Sequence, residues 1–260
     1  MIASPLGLRL DPERSVRDQI REAAQLGARG VVIDAIGDIA PARLSETGRR
    51  ELRHLLRSVG VGLAALSLPT RRPFDTPDQL DDRLRRADAA FAMAFELGTT
   101  LVLARVGSLP PEADPEARGV FLGALAELGR RADHRGVRLA IETGSESGAE
   151  LRAWLDQLGS PTLAASIDPG ALLQGGHDPS ETVQSLGSLV AHAYASSATR
   201  SISAVARSVR SGFPPGALDW ESFLGALEEV GYRGYLTVWP EPGRDGASEF
   251  KSVSRRLQAF

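Results

Sequence analysis

The side chains with most chemistry in this chain stand at the ends of short apolar runs. Glu142 closes the run 137–142 and Asp168 closes 162–168, while Tyr194 and Trp239 sit near the ends of 189–195 and 234–239. Carboxylates on neighbouring strands can hold a divalent cation, work as an acid/base pair, or repel one another. Either can also cap the backbone that follows. Asp168-Pro169-Gly170 is a good turn opener, so capping competes for Asp168, whereas Glu142-Thr143-Gly144 offers less reason for it. Arg105 ends the run before the one that Glu142 closes. Its planar fork suits a carboxylate, so an Arg105–Glu142 pair is expected, with a solvated loop arginine as the alternative. Tyr194 and Trp239 offer aromatic faces against which a ligand could stack. His192 shares the face of Tyr194 and is expected as a buried, hydrogen-bonded residue beneath it or as a ligand contact.

These residues need a scaffold that gathers strand ends. Seven times a helical pattern runs into a glycine-bearing junction and then an apolar run, and Leu6-Gly-Leu-Arg-Leu10 supplies an eighth strand candidate. Helical crossovers make successive strands parallel, and eight parallel strands can close into a barrel. The expected fold is an α/β (β/α)8 TIM barrel, one domain over residues 1–260. An open doubly wound sheet is the rival, but no G-x-G-x-x-G follows the first strand and no glycine-lysine phosphate loop occurs. In a barrel the chemistry belongs at the C-terminal strand ends. Side chains alternate along a strand. If Glu142 and Asp168 face the mouth, so do Ala140, Ser166, His192, Tyr194, Tyr235, Thr237 and Trp239, while Leu139, Ile141, Ile167, Leu236 and Val238 meet the helices. Helix starts are expected at Asp11-Pro12-Glu13, Ser45, Pro77, Pro115, Gly148, Pro179, Asp219 and Ser248.

Composition removes several classes. A net charge of −3 fits neither a nucleic-acid binder nor a membrane-surface protein. Cysteine is absent, which excludes disulfides, thiolate metal sites and cysteine nucleophiles. Lys251 is the only lysine and falls in the last helical pattern, far from a mouth where Schiff-base chemistry would need it. With no basic-then-apolar leader and no run of about 20 apolar residues, a soluble cytoplasmic protein without a membrane partner is expected.

Six segments taken together resemble the sugar phosphate isomerase/epimerase family of the xylose isomerase-like TIM barrel superfamily. They are Ile141-Glu-Thr-Gly144, Ile167-Asp-Pro-Gly-Ala-Leu-Leu173, Gly176-His-Asp-Pro179, His192-Ala-Tyr-Ala195, Gly216-Ala-Leu-Asp-Trp220 and Tyr232-Arg-Gly-Tyr-Leu-Thr-Val238. The resemblance implies a divalent metal on a glutamate, an aspartate, a histidine and a second glutamate, with the two glutamates moving a proton on either side of a substrate carbon. Glu142 and Asp168 fit the first two positions. The histidine position falls on Tyr194 and the second glutamate on Trp239, with Glu241 two residues further on as a substitute. The basic-acidic pair that often follows the histidine becomes Ser196-Ser197, and Ala171 stands where relatives often have asparagine.

The resemblance therefore implies Glu142 and Asp168 as catalytic and weak metal-ligating residues, with Arg105, His192, Tyr194 and Trp239 contacting substrate. The cofactor is manganese, magnesium or zinc if the protein turns over, and none otherwise. A sugar or sugar phosphate is the expected partner, with a homo-oligomer of this chain as a further expectation. The functions left open are an isomerase or epimerase, a non-catalytic carbohydrate binder, and a scaffold that keeps only the barrel. Arg71-Arg72 could meet a phosphate or stay hydrated, His177 is expected at the start of a helix, and His54 and His134 on outer helices. The stretch 197–215 replaces a segment that often carries function in relatives.

Overall fold

A computed structural model describes residues 4–108, 110–144, 146–195, 218–240 and 245–258. Eight strands close into one parallel barrel in chain order: β1 (Leu6–Arg9), β2 (Gly30–Asp34), β3 (Gly62–Ser67), β4 (Leu101–Ala104), β5 (Arg138–Glu142), β6 (Leu163–Ile167), β7 (Val190–Tyr194) and β8 (Leu236–Val238), with β8 pairing back onto β1. Around them, among the described residues, run α1 (Val16–Gln25), α2 (Glu46–Ser58), α3 (Leu80–Leu97), α4 (Pro115–Arg135), α5 (Gly148–Leu158), α6 (Pro169–Gly175), α7 (Pro179–Leu186), α8 (Trp220–Glu229) and α9 (Gly246–Leu257). The strand parity read from the sequence holds. Leu139, Ile141, Ile167, Leu236 and Val238 belong to the apolar layer between sheet and helices, whereas Ala140, Ala164 and Tyr194 belong to a separate cluster inside the barrel.

The inner layers explain how a barrel with so many alanines is filled. At the N-terminal end the Tyr235 ring lies across Gly30 and Gly62, where an added Cβ would come within 2.5 Å and 2.6 Å of it. Glycine at both positions makes room for a large ring instead of two smaller side chains. Above that layer, His192 shares hydrogen bonds with Ser166 Oγ and Thr237 Oγ1, each at 2.9 Å. Strands β6, β7 and β8 are thereby tied together beneath the mouth.

Four helix boundaries depart from expectation. Asp11-Pro12 forms a turn, with Asp11 Oδ1 accepting from the Glu13 amide, and α1 begins only after Ser15, whose hydroxyl accepts from the Asp18 amide. Pro77 likewise opens a turn that returns to it from Leu80, and α3 starts after Gln79. Asp245 caps α9 two residues before the expected Ser248. Helix α6 lies directly behind β6, because Asp168 and Pro169 together supply an N-cap and a first-turn proline. His177 consequently falls between α6 and α7.

Candidate functional site

The C-terminal mouth is organised by a residue that the sequence analysis did not single out. Arg9 ends β1 and points inward, buried at 8% exposure. Its Nη2 donates to Asp34 Oδ1 on β2 and Ser67 Oγ on β3, both at 2.9 Å. Its Nη1 donates to Glu142 Oε1 on β5 at 3.2 Å and to the Tyr194 hydroxyl on β7 at 2.5 Å. The Tyr194 hydroxyl in turn donates to Glu142 Oε1 at 2.8 Å. Trp239, beyond β8, lies with its ring centroid 3.9 Å from the Arg9 Cζ, close enough for cation–π attraction. One guanidinium on β1 thus joins side chains from five other strands or strand ends around the barrel axis.

The charges follow from that geometry. Burial alone would push the Arg9 guanidinium toward release of its proton, but Tyr194, Asp34 and Glu142 outweigh it and drive the value up, so Arg9 is a permanent cation. Asp34 is pushed above the ordinary carboxylate range by burial, with Arg9 and Ser67 pulling the other way. The two partners' shifts thus point in different senses. The short contact to a guanidinium that cannot deprotonate favours reading the pair as ionised. Burial, and then the neighbouring Glu142 charge, push the Tyr194 phenol well up, so it remains a protonated donor. His192 is pushed down to about 3, by burial first and by Arg9 second, and stays neutral.

Glu142 and Asp168 face the mouth as the strand parity requires. Asp168 also caps, its Oδ1 accepting from the Gly170 and Ala171 amides at 3.0 and 3.2 Å. The capping and mouth-facing readings therefore hold together, one oxygen turned to the helix and the other toward Arg105. The expected Arg105–Glu142 pair is only loose. Arg105 Nε lies 3.8 Å from Glu142 Oε2 and its Nη2 4.0 Å from Asp168 Oδ2, on a side chain 60% exposed. The close partner of Glu142 is the buried Arg9. His192, at 1% exposure, takes the buried, hydrogen-bonded role of the two expected for it, and Tyr194, at 0%, presents no face to a ligand. The two rings meet edge-on at 4.6 Å, and the Tyr194 hydroxyl is engaged by Glu142. Trp239 remains partly accessible. Glu241, Ser196-Ser197 and the stretch 197–215 lie outside the described residues.

Two cavities flank the Arg9–Glu142 bridge. One of about 440 Å³ is lined by Arg105, Glu142, Glu146, Ala171 and Gln174, among others. The other, of about 710 Å³, reaches Arg9, Asp34 and Trp239 from the side of β1 and the start of α9. Glu146 was not anticipated either. Burial pushes its carboxyl up, against the pull of its own and the Gly144 amides, the latter donating to Oε1 at 3.1 Å. Among the described residues no group of three or more His, Cys, Asp and Glu side chains is placed to hold a metal ion. None of their helices is long and apolar enough to cross a membrane.

A signal for the missed residues was present. In Leu6-Gly-Leu-Arg-Leu10 the leucines share one parity and Arg9 the other, and Arg9 closes the strand, as Asp34 and Ser67 close theirs. The rule that exposed Glu142 applied equally to β1, β2 and β3.

A closed eight-stranded barrel with its polar residues at the C-terminal strand ends is a (β/α)8 barrel of the kind that hosts many enzymes. A family model described as a xylose isomerase-like TIM barrel matches residues 20–257, and the chain belongs to that family. No curated protein matches it. Among solved structures it is similar to a xylose isomerase domain protein from Planctomyces limnophilus, at 18% identity and a TM-score of 0.79 over 98% of this chain and 95% of that one. It is also similar to a D-psicose 3-epimerase from Clostridium cellulolyticum H10, solved with D-tagatose, at 16% identity and 0.76 over 98% and 96%. A 3-keto-D-glucoside 4-epimerase from E. coli shares 13% identity and 0.77 over 99% and 100%. At these identities the likeness establishes the fold.

Proposed function

We propose that this chain is a sugar isomerase/epimerase-like protein that receives a small sugar at the C-terminal mouth, with the cation-dependent, two-base centre of such barrels partly lost. The observation that carries the reading is the set of inward side chains. Glu142 and Asp168 face the mouth, but Tyr194 and Trp239 stand where the resemblance places a histidine and a second glutamate. The donors do not fit a divalent ion. Such an ion takes about six oxygen or nitrogen ligands, an indole offers none, and the Tyr194 hydroxyl already donates to Glu142. Proton transfer across two faces of a carbon needs a base on each face, and Trp239 cannot be one.

Sugar binding is supported by family membership and by neighbours named as sugar epimerases, two of them solved with D-fructose and D-allulose. It is supported too by the partly exposed Trp239, which lines the larger cavity, and by the polar cavity at Arg105, Glu142 and Gln174, where hydroxyl groups would find both donors and acceptors. The reading includes sugar phosphates as a second ligand class, a cytoplasmic location, and self-association, which light scattering would test.

Calorimetric titration with a panel of ketoses and their phosphates tests binding. Solvent-deuterium incorporation into the same panel tests proton abstraction, and elemental analysis of protein purified without chelator tests the ion. Expected are binding by at least one sugar, little or no deuterium, and no stoichiometric manganese, magnesium or zinc. A fully loaded metal with rapid exchange would refute the loss of the centre, and failure of every sugar to bind would refute the ligand class.

A further inference from the structure

We infer that Arg9 is a tethered cation, a positive charge the chain itself carries to the barrel axis, which fixes Glu142 at the mouth and makes the site independent of any added metal. The inference rests on the reading that the ion site has been lost, and it says what took over the ion's electrostatic work.

Three observations carry it. Arg9 is a buried basic side chain that reaches the barrel interior at the mouth. It bridges Asp34 and Glu142, two largely buried carboxylates, through different nitrogens of one fork. Without it Asp34 and Glu142 would lose their close ion pairs, and Arg105, exposed and 3.8 Å from Glu142, is a much weaker partner. Buried charges left in that state are strongly unfavourable. Its place is also specific to a guanidinium. Nη1 and Nη2 each serve two acceptors while the flat face lies against the Trp239 ring, an arrangement an ammonium cannot reproduce with one nitrogen.

The Trp239 substitution and the Arg9 placement therefore belong together, since the indole covers the face of the guanidinium. With Oε1 of Glu142 held by Arg9 and Tyr194, Oε2 is turned toward Arg105 and the 440 Å³ cavity. Arg9 is in this sense a positioning residue, which acts on a ligand through Glu142.

The test uses the full chain and four variants, Arg9→Ala, Arg9→Lys, Arg9→Met and the double Arg9→Ala/Glu142→Gln. Melting is followed in EDTA, then with ethylguanidinium chloride or manganese chloride, against sodium chloride at equal ionic strength. Wild type should respond to neither added cation. Arg9→Ala should melt roughly 6–20 °C lower, the shift expected from breaking a buried ion pair in a domain of this size. It should recover part of that loss with ethylguanidinium or manganese. The double variant should recover part with no added cation and lose the cation response.

If Arg9→Ala melts like wild type, or melts lower yet ignores both cations while the double variant gains nothing, Arg9 is only packing and the inference fails. Should Arg9→Ala not fold, Arg9→Lys and Arg9→Met decide: the charged variant must keep more of the wild-type melting temperature than the neutral one, and equal losses overturn the inference. Wild type stabilised by manganese would instead sink the reading of a lost ion site. Absence of sugar binding would sink the ligand class and leave the cation result standing.

Discussion

The neutral His192 beneath the mouth makes stability depend on pH in a way that can be calculated. In the unfolded chain the imidazole has an ordinary value near 6.5, while in the fold it is pushed down to about 3, by burial first and by Arg9 second. As pH falls below 6.5 the unfolded state takes up a proton that the folded state refuses. Unfolding then binds protons, so the native state loses stability from pH 6.5 down toward 3. From about pH 8 to about pH 5 the loss accumulates over roughly 1.5 pH units at ~1.4 kcal/mol each, or about 2 kcal/mol. For a chain of this size that is a fall of roughly 4–8 °C in melting temperature.

The assay is urea denaturation of wild type and His192→Gln at both pH values. The variant lowers stability at each, because Ser166 and Thr237 lose a ring that bonds both of them. It also removes the titration, so its loss between the two pH values should be smaller than that of wild type by about 2 kcal/mol. Any pH dependence from other groups is common to both proteins and cancels in the comparison. Parallel pH curves for the two proteins would show that His192 is protonated in the native barrel, and the account of a neutral layer between Ser166 and Thr237 would be wrong.

Two further substitutions separate the roles of the mouth residues. Tyr194→Phe keeps the edge-on contact with His192 but removes the hydroxyl between Arg9 and Glu142, and should cost about 1.5–3 kcal/mol in urea unfolding with no change in slope. Asp168→Ala removes the cap of α6 and should cost about 0.5–2 kcal/mol, whereas Asp168→Asn keeps an acceptor for the Gly170 and Ala171 amides and should retain most of it. Equal losses in the Asn and Ala variants would mean that the charge of Asp168, and not its capping oxygen, is what the fold uses.

Much of this was legible beforehand because it is local. Every strand lies within an apolar run visible in the sequence, and inward parity follows from counting by two once one residue is assigned. Ser45 and Pro115 mark their helices through backbone groups a few residues away. Where local signals competed, the reading slipped. Asp11-Pro12 and Ser15 both look like starts, and the choice went to Ser15 because Asp11 is engaged by the amide of Glu13 and by Gln19.

By itself, then, the chain determined an eight-stranded barrel, which side chains face its mouth, and the family to which it belongs, since all three arise from short-range periodicity and ordered motifs. Only the closed tertiary structure decided which cation meets Glu142. Arg105 stands 37 residues before it and Arg9 stands 133 before it, yet the nearer residue in sequence makes the looser pair. A barrel brings β1 across the axis from β5, and a buried guanidinium there escapes the solvent that screens an exposed one, so space and dielectric selected Arg9 where order along the chain favoured Arg105.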